Sequence, residues 1–289
     1  MKTQVKAFLR FFLSKNIIWI PINKLGEIIT QLFQTFTYYR TVTKEQEKIN
    51  KRREKKCKEL FRDLVVLNGP FKGMKYPKMK AAGSEVYPKL LGSYEKEISE
   101  ALEYVLAQNY TSVVDIGCGE GYYAVGLGMK SKDSLNFAFD TDPRAVALCK
   151  KMAALNGVKI KVGGRCTAKE LKKLPLGKKA LIFSDCEGYE LELLDQDLCE
   201  FLKPHDLIIE THDLFDITIT QTLLENLNRT HHTKIFHSVE DREKAYTYEY
   251  PELDGLDLNE KYTVLKERGQ IMKWIFAKTK SDQLRWQFS

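Results

Sequence analysis

An apolar run that ends in an acid and is followed by three alternating glycines constrains this chain more than any other feature. Residues 113–121 read Val-Val-Asp-Ile-Gly-Cys-Gly-Glu-Gly, which predicts a buried strand that stops at a tight turn and opens a helix. Glycines allow backbone angles that other residues avoid, and they let a ligand approach the main chain. The free N–H groups at the start of the following helix then face that ligand. The pattern therefore predicts a ligand site at residues 117–121.

The spacing of the glycines and of two acids narrows the kind of ligand. Gly-x-Gly-x-Gly differs from the Gly-x-Gly-x-x-Gly that cradles a dinucleotide pyrophosphate. Asp115, just before the glycines, could meet a ligand ammonium directly or through water. Asp140 ends the next apolar segment, about 20 residues past the turn, where a doubly wound sheet places its ribose-binding carboxylate. A flavodoxin-like or dehydrogenase sheet that uses the glycine turn only for packing is the structural alternative.

The glycine turn, the acid before it (Asp115) and the acid at the end of the next segment (Asp140) together resemble the pattern of the class I S-adenosylmethionine-dependent methyltransferases. The resemblance implies that S-adenosylmethionine is the cofactor. Thr167 follows the third predicted strand, near the place where these enzymes bind the adenine. Thr167 and Glu170 also have the spacing of a capping box at the start of a helix. The cofactor-binding residues expected from the resemblance are Asp115, Gly117, Cys118, Gly119, Gly121, Asp140, Thr141, Thr167 and Asp185.

The order of the predicted elements indicates the fold class. Beyond residue 110, strands and helices alternate, which is typical of a parallel sheet with helices on both faces. Strands are expected at 112–116, 135–140, 158–162, 179–185, 205–210, 233–239 and 270–278, and helices at 121–129, 143–155, 167–174, 188–202 and 218–228. We therefore expect an α/β fold with a doubly wound, mostly parallel, seven-stranded Rossmann-like sheet. The acidic, tyrosine-rich stretch 246–262 predicts a long loop.

The first 80 residues precede this alternation. We expect them to form a helical N-terminal extension and connector, with the methyltransferase-like domain at 81–289. Residues 1–40 are apolar and aromatic, but Arg10 and Lys15 break the run, which is too short for a membrane span. Two interpretations stay open: a helical pair that packs on the fold or in an oligomer contact, and an amphipathic helix on a membrane surface.

Charge and cysteine content leave several partners open. The net charge of +7 permits anionic substrates, membrane surfaces or nucleic acid and selects none of them. Six cysteines without a Cys-x-x-Cys pair or a Cys/His cluster at zinc spacing indicate reduced thiols. We therefore expect a cytoplasmic enzyme, with membrane association through residues 1–40 left open.

Acidic residues also follow the fourth and fifth predicted strands. Residues 184–190 read Ser-Asp-Cys-Glu-Gly-Tyr-Glu, and residues 209–213 read Ile-Glu-Thr-His-Asp. In open α/β sheets, ligands bind beyond the carboxyl ends of the strands. We expect five polar side chains to project into the cleft there: Asp185, Glu187, Glu210, His212 and Asp213.

These two segments narrow the resemblance to the FkbM-type methyltransferases, over about residues 90–215. Asp-Cys-Glu-Gly resembles the Asp-x-Glu-Gly segment of that family, and Glu-Thr-His resembles the Glu-x-His at the end of its fifth strand. The resemblance implies transfer of a methyl group to a hydroxyl of a carbohydrate, glycan or natural-product acceptor. Residues 1–80 and 246–262 fall outside the match.

O-methylation requires a group that accepts the hydroxyl proton. His212 suits this role because its unperturbed pKa is about 6.5, and a hydrogen-bonded structural histidine is the alternative. Asp185 could contact the cofactor or the acceptor, and Glu187 could orient the base or cap the next helix. Glu210 joins Asp185 and His212 in a set that could instead hold a divalent cation, although their spacing is not diagnostic.

Two other functions compete with O-methylation. A nucleic-acid methyltransferase would suit the positive charge, but the segment after the fourth strand lacks the Asn/Asp-Pro-Pro-aromatic pattern of base methylation and carries extra acids, which repel phosphates. A methyltransferase-fold binding protein without turnover is the non-enzymatic alternative, and the intact acids and glycines argue against it.

Overall fold

The computed structural model of the protein describes residues 2–13, 16–131, 133–268 and 270–280. The chain forms two compact units that divide between Lys56 and Cys57. The first unit consists of helix α1 (Lys2–Leu13) and most of helix α2 (Asn16–Leu60), which confirms the predicted helical extension. Among the described helices, none combines the length and the apolar character needed to cross a bilayer.

The second unit is built on a seven-stranded sheet with the strand order β3-β2-β1-β4-β5-β7-β6. The first five strands run parallel, and β7 runs antiparallel to both β5 and β6. The strands are β1 (Ser112–Ile116), β2 (Leu135–Phe139), β3 (Ile160–Gly163), β4 (Ala180–Ser184), β5 (Asp206–Thr211), β6 (His231–His237) and β7 (Lys273–Thr279). The predicted doubly wound, mostly parallel sheet is confirmed.

Both faces of the sheet are covered by apolar packing. Successive residues of a strand point to opposite faces, and the central strands are apolar at both. Val113 and Phe183 belong to a core cluster that includes residues of the helices before and after β1, whereas Val114 and Ile182 belong to a second cluster with the helices around β5. Burial on both faces therefore explains why these strands read as continuous apolar runs.

The helices of the second unit largely follow the predicted positions. They are α3 (Val86–Leu91), α4 (Ser99–Leu106), α5 (Tyr122–Lys130), α6 (Pro143–Leu155), α7 (Ala168–Leu171), α8 (Glu190–Leu193), α9 (Gln196–Phe201), α10 (Ile219–Leu227), α11 (Asp241–Thr247) and α12 (Leu258–Leu265). The single helix predicted at 188–202 is wrong, because Asp195 accepts a hydrogen bond from the Leu198 N–H at 2.7 Å and starts α9 as a new helix.

The predicted long loop at 246–262 is also wrong. A short 3₁₀ helix (Pro251–Leu253) and α12 occupy much of it. Asp257 and Glu260 form a capping box at the start of α12, in which each side chain accepts a hydrogen bond from the backbone of the other residue. Such reciprocal caps satisfy the free N–H groups of a helix start, so this acidic stretch folds as helix.

Residues 57–80 pack with the second unit, so the division in the structure lies earlier than the expected one at residue 80. Phe61, Val66, Phe71 and Met74 are all buried in the first core cluster. A backbone bridge between Val65 and Lys75 closes this segment on itself.

Candidate active site

A cavity of about 790 Å³ lies at the carboxyl ends of the parallel strands. It collects most of the residues that the sequence singles out, because the ends of β1, β2, β4 and β5 meet at this edge of the sheet. The sequence-predicted residues that line it are Asp115, Gly117, Cys118, Gly119, Asp140, Thr141, Asp185, Glu187, Glu210 and His212. Gly121 and Thr167 do not line it, and the expectation for Asp213 is wrong, because its carboxylate accepts hydrogen bonds from Lys273 and Thr220 outside the lining.

The turn after β1 requires glycine for two separate reasons. Gly117 has a φ of +83°, and a Cβ atom there would lie 1.5 Å from the backbone oxygen of Asp185. Gly121 has a φ of +98° and is the residue before α5. Because β1 and the end of β4 approach so closely, a larger residue at Gly117 is sterically excluded.

Asp140 is held by the backbone of two neighbouring segments. One carboxylate oxygen accepts the N–H of Gly119 at 2.8 Å, and the other accepts the N–H of Asp142 at 2.8 Å. Asp142 in turn caps α6 by accepting from the Arg144 N–H at 2.8 Å. The glycine turn and the end of β2 therefore fix the orientation of the Asp140 carboxylate at the cavity.

Asp115 carries a buried carboxylate oxygen that lacks a partner. The residue is 2% exposed, and its Oδ2 atom has no hydrogen-bond partner among the described residues. Burial, and next the nearby carboxylate of Asp185, raise the pKa of Asp115 to about 8. A cation placed in the cavity would lower this pKa and supply the missing partner, so the site fits a ligand that bears an ammonium group.

His212 is fixed at the opposite end of the cavity by contacts on both ring nitrogens. Its Nδ1 lies 2.5 Å from Oε1 of Glu190. Its Nε2 lies 3.5 Å from Oδ1 of Asp185 and 3.4 Å from Oε2 of Glu187. Burial lowers the pKa of His212, but Glu190, Asp185 and Glu187 outweigh burial and leave this pKa above its usual value.

Glu190 is a site residue that the sequence reasoning missed. It begins α8, is fully buried, and accepts the N–H of Gly188 at 3.1 Å in addition to its contact with His212. The turn before it is strained, since Glu187 has a φ of +53°, which non-glycine residues rarely adopt. A glutamate in the first turn of a predicted helix gives no signal by itself that it faces a histidine from another strand.

Glu210 lies beside His212 but has a different principal partner. Its carboxylate, 1% exposed, contacts Nη1 of Arg268, whose Nη2 contacts the buried carboxylate of Glu95. Oε2 of Glu210 is 4.0 Å from Nε2 of His212. Arg268 also lines the cavity. The sequence did not predict it as a site residue, because it follows α12 and belongs to no motif. It forms ion pairs with two buried carboxylates, of which Glu210 lines the cavity and Glu95 does not.

Three side chains are close enough to share one divalent cation. The ligand atoms of Asp185, Glu187 and His212 lie within 4.8 Å of one another. This set differs from the expected one in that Glu187 replaces Glu210, whose carboxylate faces Arg268. The nitrogen of His212 that would face a cation is the one left open by Glu190, an arrangement often found around histidine ligands.

Thr167 serves the fold rather than the cavity wall. Its hydroxyl accepts the Glu170 N–H at 3.3 Å, and Glu170 accepts the Thr167 N–H at 2.7 Å, which confirms the predicted capping box. The residues directly before it, Arg165 and Cys166, do line the cavity.

Comparisons with known proteins agree with the fold and the glycine turn. Residues 97–174 match the family described as the methyltransferase small domain. No curated protein matches the sequence. The matched region contains β1, the glycine turn, β2 and Asp140, so it covers the predicted cofactor end of the cavity.

Solved structures of low sequence identity are similar to parts of the chain. One is precorrin-6y C5,15-methyltransferase from Geobacter metallireducens, with 14% identity over 63% of this chain and 89% of that one and a TM-score of 0.43. Another is precorrin 8w decarboxylase from Methanobacterium thermoautotrophicum, with 17% identity over 65% and 91% and a TM-score of 0.42.

A third is the O-methyltransferase TomG from Streptomyces achromogenes, with 9% identity over 65% of this chain and 81% of that one and a TM-score of 0.36. At these values the likenesses say nothing about the acceptor. The match of residues 97–174 to a methyltransferase domain, combined with the strand order and the glycine turn of this structure, indicates an enzyme that transfers methyl groups from S-adenosylmethionine.

Proposed function

We propose that the protein is an O-methyltransferase that acts on a hydroxyl of a carbohydrate-containing acceptor, a glycan or a natural product, with His212 as the general base. This proposal rests on the way the imidazole is held. Glu190 fixes Nδ1, and Nε2 faces the cavity beside Asp185 and Glu187. A buried histidine with one nitrogen oriented and the other directed at a ligand cavity is the arrangement that general base catalysis needs.

The cofactor end of the cavity suits S-adenosylmethionine. In the proposed binding mode, the buried oxygen of Asp115 that has no partner among the described residues accepts a hydrogen bond from the ammonium group of the cofactor. Asp140 accepts hydrogen bonds from the ribose hydroxyls. Cys118 and Thr141 line the same end. When bound, S-adenosylmethionine supplies a methyl group made electrophilic by its sulfonium sulfur.

His212 would remove the hydroxyl proton through Nε2. The distances of 3.4 and 3.5 Å from Nε2 to the two carboxylates exceed the usual length of a charge-assisted hydrogen bond, about 2.7–2.9 Å. A hydroxyl that enters between them can therefore replace a weak contact with a strong one. The proton then resides on an imidazolium that Glu190, Asp185 and Glu187 stabilise.

The acceptor end combines an exposed aromatic ring with carboxylates. Phe215 is 63% exposed, and its ring centroid lies 6.0 Å from that of His212. The carboxylate of Glu187 lies 3.4 Å from Nε2 of the same histidine. Carbohydrates present apolar C–H faces that can pack on such a ring and hydroxyls that donate to carboxylates. The acids of this end repel phosphates, so it suits a sugar better than a nucleic acid.

The cysteines form no disulfide within the described residues, which supports a cytoplasmic location, because thiols persist in reducing compartments. The proposed enzyme would then modify its acceptor before any export. Mass spectrometry of glycans from cells with and without the gene should show a difference of one CH₂ unit in the acceptor. Absence of any such difference, with S-adenosylmethionine bound by the purified protein, would instead favour a binding protein without turnover.

His212→Ala tests the role of the base. We expect turnover to fall by roughly 100-fold or more while the affinity for S-adenosylmethionine is retained, because proton removal matters in the transition state and not in cofactor binding. His237→Ala is the matched control, since His237 is exposed and does not line the cavity. Equal turnover in the two variants would refute the assignment.

A divalent cation held by Asp185, Glu187 and His212 is the alternative means of activating the hydroxyl. It predicts that a chelator abolishes turnover and that added Mg²⁺ restores it. If the His212→Ala enzyme keeps full activity in the presence of chelator, both mechanisms fail. Catalysis would then rest on proximity and alignment of the acceptor.

A further inference from the structure

We propose that helix α1 and the part of helix α2 from Ile22 to Val42 bind the surface of an anionic lipid membrane. Binding of this kind is independent of the methyl-transfer chemistry, since it uses residues of the first unit only. Three features of that unit support it: an amphipathic first helix, a broad exposed apolar stripe on the second helix, and a concentration of positive charge.

Helix α1 exposes aromatic and basic side chains on different sides. Phe8 and Phe11 are each 61% exposed, and Val5 is 52% exposed. Lys6 and Arg10 are exposed as well and are four residues apart, so they lie on one side of the helix. Aromatic residues on one side and cations on another are typical of helices that lie in a membrane interface.

Helix α2 carries a continuous apolar stripe that has no covering element within the described residues of its unit. Its members follow the spacing of three and four residues that places side chains on one helix face. All are about half exposed or more, and they are Ile22, Leu25, Ile28, Ile29, Leu32, Phe33, Phe36 and Tyr39. The opposite face of the same stretch carries polar residues, including Thr30, Gln31 and Gln34.

The distribution of charge identifies a partner with negative charge. Five basic residues and no acidic residue precede Glu27, the first acid of the chain; the basic residues are Lys2, Lys6, Arg10, Lys15 and Lys24. Anionic headgroups attract such a segment, and each basic residue near the surface adds to the attraction. Apolar burial and charge attraction therefore act in the same direction.

A second copy of this chain suits the stripe less well. The three-four spacing is also typical of coiled coils, but Ile28 and Phe33 widen the stripe beyond the narrow seam that two helices share. A parallel partner copy would also bring the same basic segment alongside the first, without any acid before Glu27. A membrane surface supplies a broad apolar layer and the opposite charge together.

Vesicle flotation of the full chain tests the proposal. We expect the protein to float with vesicles that contain phosphatidylserine at low salt, and to bind much less to vesicles of phosphatidylcholine alone or at high salt. Leu32→Glu combined with Phe33→Glu should reduce the bound fraction on phosphatidylserine vesicles by about tenfold or more. Loss of two apolar contacts and addition of two negative charges both weaken binding.

The matched control is Gln31→Glu combined with Gln34→Glu, which adds the same charge on the opposite, exposed face. It should retain most of the binding. The proposal fails if the wild type does not bind phosphatidylserine vesicles at low salt, or if the two double variants lose binding equally. It also fails if the wild type is a dimer in solution that L32E/F33E converts to monomer while vesicle binding is unchanged.

Discussion

The two ends of the cavity differ in where their charged groups find partners. At the end formed by β1 and β2, Asp115 has a buried oxygen that finds no hydrogen-bond partner in the described part of the chain. At the end formed by β4 and β5, His212 contacts carboxylates through both ring nitrogens, and Arg268 joins Glu95 to Glu210. His212 and Arg268 thus organise the second end before any ligand is bound. That end also holds buried oxygens of Asp185, Glu190 and Glu210 that have no hydrogen-bond partner among the described residues, so a ligand can complete either end. Substitutions at the first end should mainly change binding, and substitutions at the second should mainly change turnover.

The largest effect on cofactor binding should come from Gly117→Ala. We expect cofactor affinity to fall by roughly 100-fold, since relief of a steric overlap of this kind requires backbone shifts that cost about 3 kcal/mol. Gly73→Ala is the control, because Gly73 also has a positive φ, of +91°, but has open space around its Cβ position. Calorimetric titration and circular dichroism of both variants make the comparison. Unchanged affinity in a folded Gly117→Ala protein would contradict the close approach of β1 and β4.

Asp140→Ala sharpens the assignment of the cofactor end. We expect binding of S-adenosylmethionine to weaken by about 1–3 kcal/mol, the loss typical of charge-assisted hydrogen bonds, while turnover at saturating cofactor changes little. Asp197→Ala, at an exposed position outside the cavity, is the control for loss of one negative charge. If the Asp140→Ala protein binds S-adenosylmethionine with wild-type affinity, Asp140 does not contact the cofactor.

Glu190→Gln tests whether the catalytic end is organised in advance. We expect turnover to fall about tenfold at unchanged cofactor affinity. Because Glu190 helps to raise the pKa of His212, the acid limb of the pH–turnover profile should move to lower pH in this variant. Glu192→Gln, on the same helix but exposed, should leave the profile in place. If the pH–turnover profile of Glu190→Gln does not move, Glu190 does not influence the pKa of the catalytic base.

The smallest effect should be a proton released on cofactor binding. Asp115 has a pKa of about 8, so it is mostly protonated at pH 7, and an ammonium group placed beside it favours ionisation. Calorimetry in buffers of different ionisation enthalpy should report release of about one proton at pH 7 in the wild type. Asp115→Asn should release none. Equal proton release in both proteins would show that the ammonium group binds elsewhere.

The cofactor end of the cavity could be predicted from the sequence because its signals are local. The glycine turn, the Asp142 cap and the Thr167–Glu170 capping box each depend on residues that are neighbours in the chain. Asp185 and His212 could be placed near the cavity for a related reason, since each follows a strand whose carboxyl end meets the same edge of the sheet.

Glu190 and Arg268 could not be predicted, because their roles depend on packing between distant segments. The partner of Glu190 is a histidine from β5, and the partners of Arg268 precede α4 and end β5. The prediction of a loop in place of helix α12 was wrong for a different reason. The sequence contains the Asp257–Glu260 capping pattern, but the acidic and tyrosine-rich composition around it favoured a loop.

The position of Arg268 limits how this protein can be recombined with its relatives. The arginine comes from the segment after α12, beyond the residues that match the methyltransferase family. A chimera that kept β1 to β5 but took its C-terminal segment from a chain without an arginine here would remove the ion pair of Glu95 and leave Glu210 with the 4.0 Å contact to His212. Each is nearly inaccessible to solvent, so one of them would have to bind a proton. Exchange of C-terminal segments is therefore restricted to donors that bring a cation to this wall.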